Sequence, residues 1–250
     1  MMNGLLLPLM TASVGLAFRQ SAMNGKVIVI VLILISVGAW TVLLTKFAQL
    51  RLARISSNRF LKAFHEQART TNLFVKKQSM PETPLNTIYE AGCKALINQL
   101  TLIGVDQDEI LMGNAYPPDQ RRLDPHQMDP IHAAVDCALA DTALELESHM
   151  GLLSTAVSVG PFLGLLGTVW GVMGTFSGMA TAGSATLSAV APGISGALLT
   201  TVVGLLVALP SSIGYSLLST RIRYLSVQMD NFAQEFTGRI QQEFMLTYSK

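Results

Sequence analysis

The chain has 250 residues, half of them hydrophobic and only 13% charged, whereas a soluble domain of ordinary composition has about 25% charged residues. The formal net charge of +1 excludes a bulk electrostatic attraction to nucleic acid, so we expect no nucleic-acid partner. The sequence contains no nucleophile–base pair, phosphate-binding loop or cluster of metal ligands, and we therefore expect neither an enzyme nor a bound metal or other cofactor.

Residues 1–26 lack the positively charged start of a signal peptide, because the first basic residue is Arg19. We predict a short extracytoplasmic or interfacial segment there. Residues 27–45 contain no charged residue, and this run is long enough to cross a bilayer as the first span. Its richness in valine, isoleucine and leucine predicts that the span faces lipid.

Basic residues accumulate on the cytoplasmic side of a membrane span. Eight lysines and arginines lie between 46 and 77, with Glu66 as the only acidic residue among them, whereas two basic residues precede the span. The N-terminus is therefore predicted to be periplasmic and region 46–150 to be cytoplasmic. Arg221 and Arg223 predict a cytoplasmic C-terminus. The basic run could also bind anionic lipid head groups, although the topology signal alone explains it.

Region 46–150 has apolar residues at spacings of three and four, which predicts mostly helical structure. Proline-containing breaks occur at 80–84, 115–119 and 123–130. No breaker follows the last of these, so we expect one long helix to run from about Ile131 into the second span.

Residues 150–220 contain no charged residue and no histidine, and these 71 residues are enough for two spans. We place the second span at 151–180, a short periplasmic turn at 181–190 and the third span at 191–219. Region 220–250 then continues as a cytoplasmic helix. Pro161, Pro192 and Pro210 are predicted at helix starts or bends, with Pro192 in the first turn of the third span. The predicted fold is an all-α membrane protein with three transmembrane helices and long cytoplasmic helical extensions.

Small residues follow helical spacing in both of these spans. In the second span the gaps between glycines alternate between four and three, and in the third span small residues recur every four positions. The second-span set is Gly160, Gly164, Gly167, Gly171, Gly174 and Gly178, and the third-span set is Gly196, Thr200, Gly204, Ala208 and Ser212. Such stripes let helices approach closely. We infer a homo-oligomer whose inner wall is formed by these spans; the alternative is a three-helix bundle within one chain.

Neither span contains Asp, Glu, Lys, Arg or His, although ion-translocating proteins usually have such a residue in the membrane. Thr168 and Thr175 lie seven apart on one face of the second span, and Thr200 and Thr201 lie in the third. If protons pass, the titrating carboxylate must come from another chain, and these hydroxyls could solvate it. Alternatively, each threonine bonds only the carbonyl four residues before it.

Two segments, GLLGTVWGVM at 164–173 and VAPGISGALLTTVVGLLVALP at 190–210, resemble the TolQ/ExbB/MotA proton-channel family. The tail DNFAQEF at 230–236 is more similar to the TolQ branch than to ExbB. The resemblance implies a homo-pentamer of the bacterial inner membrane around a central pore. It further implies two copies of a TolR/ExbD-like single-span protein in that pore, whose aspartate carries protons, and a TolA/TonB-like protein that transmits force to the outer membrane.

The resemblance maps the family's pore-facing threonines onto Thr168 and Thr201, with Thr175 and Thr200 as further candidates. It predicts a motor subunit of the Tol-Pal type that maintains envelope integrity, or alternatively an ExbB-type subunit that energises TonB-dependent transport. One departure is clear: the family's APGIAEAL reads APGISGAL here, so Gly196 replaces a glutamate. This replacement supports a third reading from another class, a non-conducting membrane scaffold.

Overall fold

The computed structural model describes residues 18, 23–67, 69–75, 83–104, 123–182 and 186–244. The regular elements with described bounds are helices: α1 Met23–His65, α2 Asn72–Val75, α3 Pro84–Leu102, α4 Pro125–Glu147, α5 Met150–Ala182 and α6 Leu187–Phe244. No β-strand occurs within these ranges, which confirms the all-helical prediction.

Three of the helices are long and apolar enough to cross a membrane, namely α1, α5 over Met150–Thr181 and α6 over Val190–Phe244. The three predicted spans are thereby confirmed as candidate membrane helices. The segment expected before the first span lies outside the described residues, apart from Phe18 and the first residues of α1. The break at 115–119 and most of the break at 80–84 also lie outside them.

The chain divides into two compact units. Unit 1 comprises Met1–Lys46 and His149–Leu218, and unit 2 comprises Phe47–Ser148 and Ser219–Lys250. Unit 1 therefore contains α5 and the N-terminal parts of α1 and α6. Unit 2 contains α2, α3, α4 and the C-terminal parts of α1 and α6.

In unit 1, one face of α1 packs against α6 while the opposite face is exposed. Ile28 and Leu32 are buried together with Val207, and Leu163 and Val203 pack against the edge of this cluster. The exposed apolar side chains of α1 in this unit include Val27, Ile30, Ile33, Leu34, Val37 and Leu44. Only this outer face of the first span is free for lipid, because the inner face is covered by the chain itself.

An aromatic cluster forms the core of unit 2. Phe60 and Phe64 from α1, Tyr89 from α3, and Phe232 and Phe236 from α6 are all fully buried, with ring centroids 5.2–6.3 Å apart. Most of these pairs meet edge to face or tilted, which is the favoured geometry for aromatic rings. The cluster therefore joins helices that are distant in sequence into one core.

The Tyr89 hydroxyl also anchors the segment 69–75 to this core. It donates a hydrogen bond to the carbonyl oxygen of Thr70 at 2.9 Å and accepts one from the Phe74 amide at 3.1 Å. The Glu243 carboxylate accepts a further bond from the Thr70 amide at 3.0 Å. A buried hydroxyl thus satisfies backbone groups of a segment that contains only one short helix.

The prediction of one continuous helix from Ile131 into the second span is wrong. The helix α4 ends at Glu147, and Ser148 (ψ 143°) and His149 (φ 65°) leave helical geometry before α5 begins at Met150. The Ser148 hydroxyl donates to the carbonyl oxygen of Glu145 at 2.7 Å, which satisfies an acceptor at the end of α4. The break uses no glycine or proline, so residue type gave no signal of it.

Two prolines, Pro130 and Pro192, lie elsewhere than the sequence suggested. Helix α4 begins at Pro125, whose missing N–H costs nothing at a first position, so the 123–130 break is a helix start and Pro130 lies inside the helix. Pro192 is the sixth residue of α6 and therefore lies beyond the first turn predicted for it. Pro161 and Pro210 lie in the interiors of α5 and α6.

Candidate functional site

The backbones of α5 and α6 approach closely in unit 1 because glycines face each other. A Cβ added to Gly164 would lie 2.9 Å from the carbonyl oxygen of Thr200 and 3.3 Å from the Cα of Gly204. A Cβ added to Gly204 would lie 2.6 Å from the carbonyl oxygen of Gly160. These neighbours are backbone atoms, which cannot rotate away. Any larger residue would therefore force the two helices apart.

The contact continues toward the C-terminal end of α5. Gly167 faces the Thr200 side chain, and a Cβ on Gly171 would lie 2.7 Å from the Cβ of Ala197. Four of the six second-span glycines are thus used within one chain. These four glycines therefore pack against a helix of the same chain, which is the alternative that the sequence left open beside contacts between copies.

The remaining two glycines have no such neighbour. No described atom lies within 4 Å of a Cβ built on Gly174 or Gly178, and both residues are exposed. The small residues of the third span also do not all lie in the contact between α5 and α6. Because a helix turns about 100° per residue, a repeat of four drifts by about 40° per step. Accordingly Ser212 is exposed, and Ser211 occupies the buried position instead.

Three threonine hydroxyls meet at the closest part of this helix pair. Thr168 of α5 touches Thr201 of α6 hydroxyl to hydroxyl, and its Oγ1 lies 3.5 Å from that of Thr200. Two carbonyl oxygens surround them. Gly164 O lies 3.0–3.2 Å from all three hydroxyls, and Ala197 O lies 2.7 Å from Thr200 Oγ1 and 3.2 Å from Thr168 Oγ1.

Each hydroxyl has one proton to donate and two lone pairs that can accept. The nearby carbonyl oxygens accept from several hydroxyls but donate nothing, so the cluster contains more acceptor sites than protons. Thr200 has no exposed surface, whereas Thr168 and Thr201 are each partly exposed. The free acceptor capacity of the cluster is therefore accessible at Thr168 and Thr201.

The other predicted site residues do not join this cluster. Thr175 donates to the carbonyl oxygen of Gly171 at 2.8 Å, four residues earlier, and packs against Gly193. Gly196 is buried and supplies no carboxylate where the resembling family has one. In the described part of the chain, no group of three or more His, Cys, Asp or Glu residues could hold a metal ion.

Sequence reasoning missed two parts of unit 1. The i−4 pattern gave Gly164 O for Thr168, but it gave no signal that Gly164 O also accepts from Thr200 and Thr201, or that Ala197 O accepts from Thr168 and Thr200. Lys46 was counted among the eight basic residues that set the topology, with no prediction of its burial, yet it is only 4% exposed. Its position in the series Ala39, Val42 and Lys46, spaced by three and four on the buried face of α1, could have indicated this.

Comparison of the sequence with known proteins identifies a family of membrane proteins. A sequence profile of the MotA/TolQ/ExbB proton channel family matches residues 86–231. The Tol-Pal system protein TolQ of Pseudomonas aeruginosa is 30% identical over 213 residues, which cover 84% of this chain and 85% of that one. TolQ of Haemophilus influenzae is 28% identical over 224 residues, 88% and 90% of the two chains. The biopolymer transport protein ExbB of Pseudomonas putida is 39% identical over 93 residues, 37% and 28% of the two chains.

Proposed function

Because the chain belongs to the MotA/TolQ/ExbB proton channel family, we propose that it is the inner-membrane subunit of a motor driven by the proton motive force. In this proposal five copies surround a central pore that holds two copies of a TolR/ExbD-like single-span protein. The N-terminus is periplasmic and the C-terminus cytoplasmic. A TolA/TonB-like protein carries the resulting force to the outer membrane.

Two features of unit 1 support an assembly of several chains. The exposed face of α5 is apolar and continues past Gly174 and Gly178, which leave room for the backbone of another helix. Residues 150–220 also contain no Asp, Glu, Lys, Arg or His, so a single chain has no carboxylate, amine or imidazole that could carry a proton through this region. A partner that contributes a membrane carboxylate supplies what the chain lacks.

The contact between Thr168 and Thr201 is the observation that carries the proposed role. Both hydroxyls are partly exposed, and both can donate protons to backbone carbonyls while their lone pairs accept from a protonated carboxyl group. When the partner carboxylate is ionised, the same hydroxyls can rotate and donate to it. The pair thus solvates the partner in both protonation states.

The energy available per step is modest. One proton that crosses 100 mV releases about 2.3 kcal/mol, which suits the exchange of a few hydrogen bonds and does not suffice to unpack helices. We assign Thr200, which is fully buried, and Thr175, which is bonded within its own helix, to helix packing. The ion path that we propose therefore runs past two hydroxyls of each chain.

The extent of the matches favours the Tol-Pal type. The TolQ relatives match along most of both chains, whereas the Pseudomonas putida ExbB matches only about a third of each, although at higher identity. A match over 213 residues is longer than unit 1 and therefore also covers much of unit 2. The second candidate remains an ExbB-type subunit, because the ExbB of Neisseria meningitidis aligns over 84% of this chain at 24% identity.

Complementation tests both the type of motor subunit and the role of the Thr168 and Thr201 hydroxyls. The gene is expressed in bacteria that lack their own TolQ, with detergent resistance as readout, and in bacteria that lack ExbB, with receptor-dependent uptake as readout. We expect rescue of detergent resistance, with Thr168→Ala and Thr201→Ala abolishing it at unchanged protein levels. Thr41→Ala is the matched control, since Thr41 is an exposed threonine of the first span whose hydroxyl donates to Val37 O, four residues earlier in the same helix. Rescue of uptake alone would establish the ExbB type, and full activity of both single variants would exclude the hydroxyl pair from the ion path.

A further inference from the structure

Two arginines of unit 2 are stacked on aromatic rings across the α1–α6 contact. The Arg54 guanidinium carbon lies 4.9 Å from the ring centroid of Tyr224, and that of Arg221 lies 4.1 Å from the ring centroid of Phe47. Each helix thus supplies one arginine and one ring. We call these four residues the arginine clamp.

The clamp lies on an exposed surface. Tyr224 is 51% exposed and Phe47 is 39% exposed, Arg54 is also exposed, and Arg221 is partly exposed. In the part of the chain that the structure describes, neither clamp arginine has a carboxylate within 4 Å. Stacking holds each guanidinium by its face, which leaves its N–H edges free to bind an anion in a bidentate manner.

The sequence positions of the clamp residues show how far each lies beyond the uncharged run of its own helix. Arg221 is the first charged residue after the uncharged run 150–220, and Phe47 comes two residues after the uncharged run 27–45. In both helices the apolar run precedes the clamp, and helical side chains tilt toward the N-terminus of their helix. Arg221 stacks on Phe47, so its guanidinium group lies at the end of the apolar run of α1, where phosphates of a bilayer lie, and Arg54 follows nine residues, about 14 Å of helix, after residue 45.

A third cation extends this surface. Arg51 is exposed and lies four residues after Phe47 and three before Arg54, so it shares their face of α1. Between residues 46 and 65 the chain has no acidic residue. The surface is thus positively charged, its hydrogen-bond donors belong to planar guanidinium groups, and in sequence it follows the apolar runs. These properties suit a ligand that has both a phosphate and acyl chains.

We propose that the arginine clamp binds the phosphate of an anionic glycerophospholipid. This assignment does not depend on the proposed motor function. A general positive-inside signal needs only charge, whereas the clamp also fixes the orientation of two guanidinium groups by aromatic stacking. Binding is therefore predicted to depend on which arginines are removed and not only on how many.

Native mass spectrometry of the full chain, purified mildly and incubated with equal amounts of phosphatidylglycerol and phosphatidylcholine, tests the proposal. We expect preferential retention of phosphatidylglycerol. An arginine near an anionic surface contributes about 1 kcal/mol, so the double variant Arg54→Ala/Arg221→Ala should lose about 25-fold in phosphatidylglycerol affinity, with phosphatidylcholine binding unchanged.

The matched control removes the same charge from other faces of the same helices. Arg59→Ala/Arg223→Ala should change the affinity by less than about threefold, because these residues lie about 140° and 200° around their helices from the clamp arginines. The variant Arg54→Lys/Arg221→Lys keeps the charge and tests the clamp should the alanine variant fail to fold; it should bind at least about threefold more weakly than wild type. Equal losses in clamp and control variants, full binding by the lysine variant, or no lipid preference in the wild type would each overturn the proposal.

Discussion

Gly164 allows a direct test of the helix contact that builds the candidate site. In Gly164→Ala the new Cβ would lie 2.9 Å from the carbonyl oxygen of Thr200 and 3.0 Å from the Cα of Thr201. Ordinary carbon–oxygen contacts begin near 3.3 Å. Because both neighbours are backbone atoms, the helices must separate by a few tenths of an ångström over the length of the contact.

The expected cost follows from this geometry. Adding a methyl group to a close-packed interface typically costs about 1–3 kcal/mol. The same movement lengthens the bonds from the Thr200 and Thr201 hydroxyls to Gly164 O, which are 3.0 and 3.1 Å long. We therefore expect a loss of about 1–3 kcal/mol in the free energy of unfolding, which for a chain of this size lowers the melting temperature by about 2–4 °C per kcal/mol.

Thermal unfolding in one detergent or nanodisc preparation measures this effect. Gly38→Ala in α1 is the matched control, because its Cβ would meet no described atom and the proposed assembly does not use it, and we expect a change within about 0.5 kcal/mol. If both variants melted together, or if Gly164→Ala were as stable as wild type, the close contact between α5 and α6 would be refuted.

Two further predictions concern buried groups. Thr200→Val should cost about 0.5–1.5 kcal/mol of stability yet preserve rescue of detergent resistance, and loss of rescue at normal protein levels would show that the buried hydroxyl belongs to the ion path. Burial raises the pKa of the Cys93 thiol, whereas Cys137 is exposed. Maleimide should therefore label Cys137 in the folded protein and Cys93 only after denaturation. Equal labelling rates of the two thiols in the folded protein would contradict the packing of unit 2. The unfolded thiol ionises above about pH 8.5 while folded Cys93 stays protonated, so the free energy of unfolding should fall as the pH rises past that value.

The membrane helices could be predicted because their signal is composition. A charge-free run has one low-energy state in lipid, a helix, so residues 27–45 and 150–220 predicted three spans without further information. The alternating glycine spacing likewise predicted a close helix contact. It could not say that Gly160 and Gly164 face α6 of the same chain while Gly174 faces no described atom, because spacing gives a face and does not identify the neighbour.

The errors in the prediction have physical causes. The end of α4 at Ser148 depends on backbone torsions and on a hydroxyl bond to Glu145 O, which no glycine or proline announces. Pro130 was read as part of a break and Pro192 was placed in the first turn of the third span, although both lie further inside their helices, where prolines near helix starts leave few carbonyls without partners. The pairing of Thr168 with Thr201 came from a family resemblance. Only the structure shows that Thr200 is buried beside them.

The central claim is that this chain forms a motor subunit whose carboxylate comes from a partner. Native mass spectrometry of the complex purified mildly from its own membranes tests this claim most directly. We expect five copies of this chain with two copies of a small single-span protein that has an acidic residue in its membrane segment. Repeated isolation of the chain without any partner that bears a membrane carboxylate would contradict it.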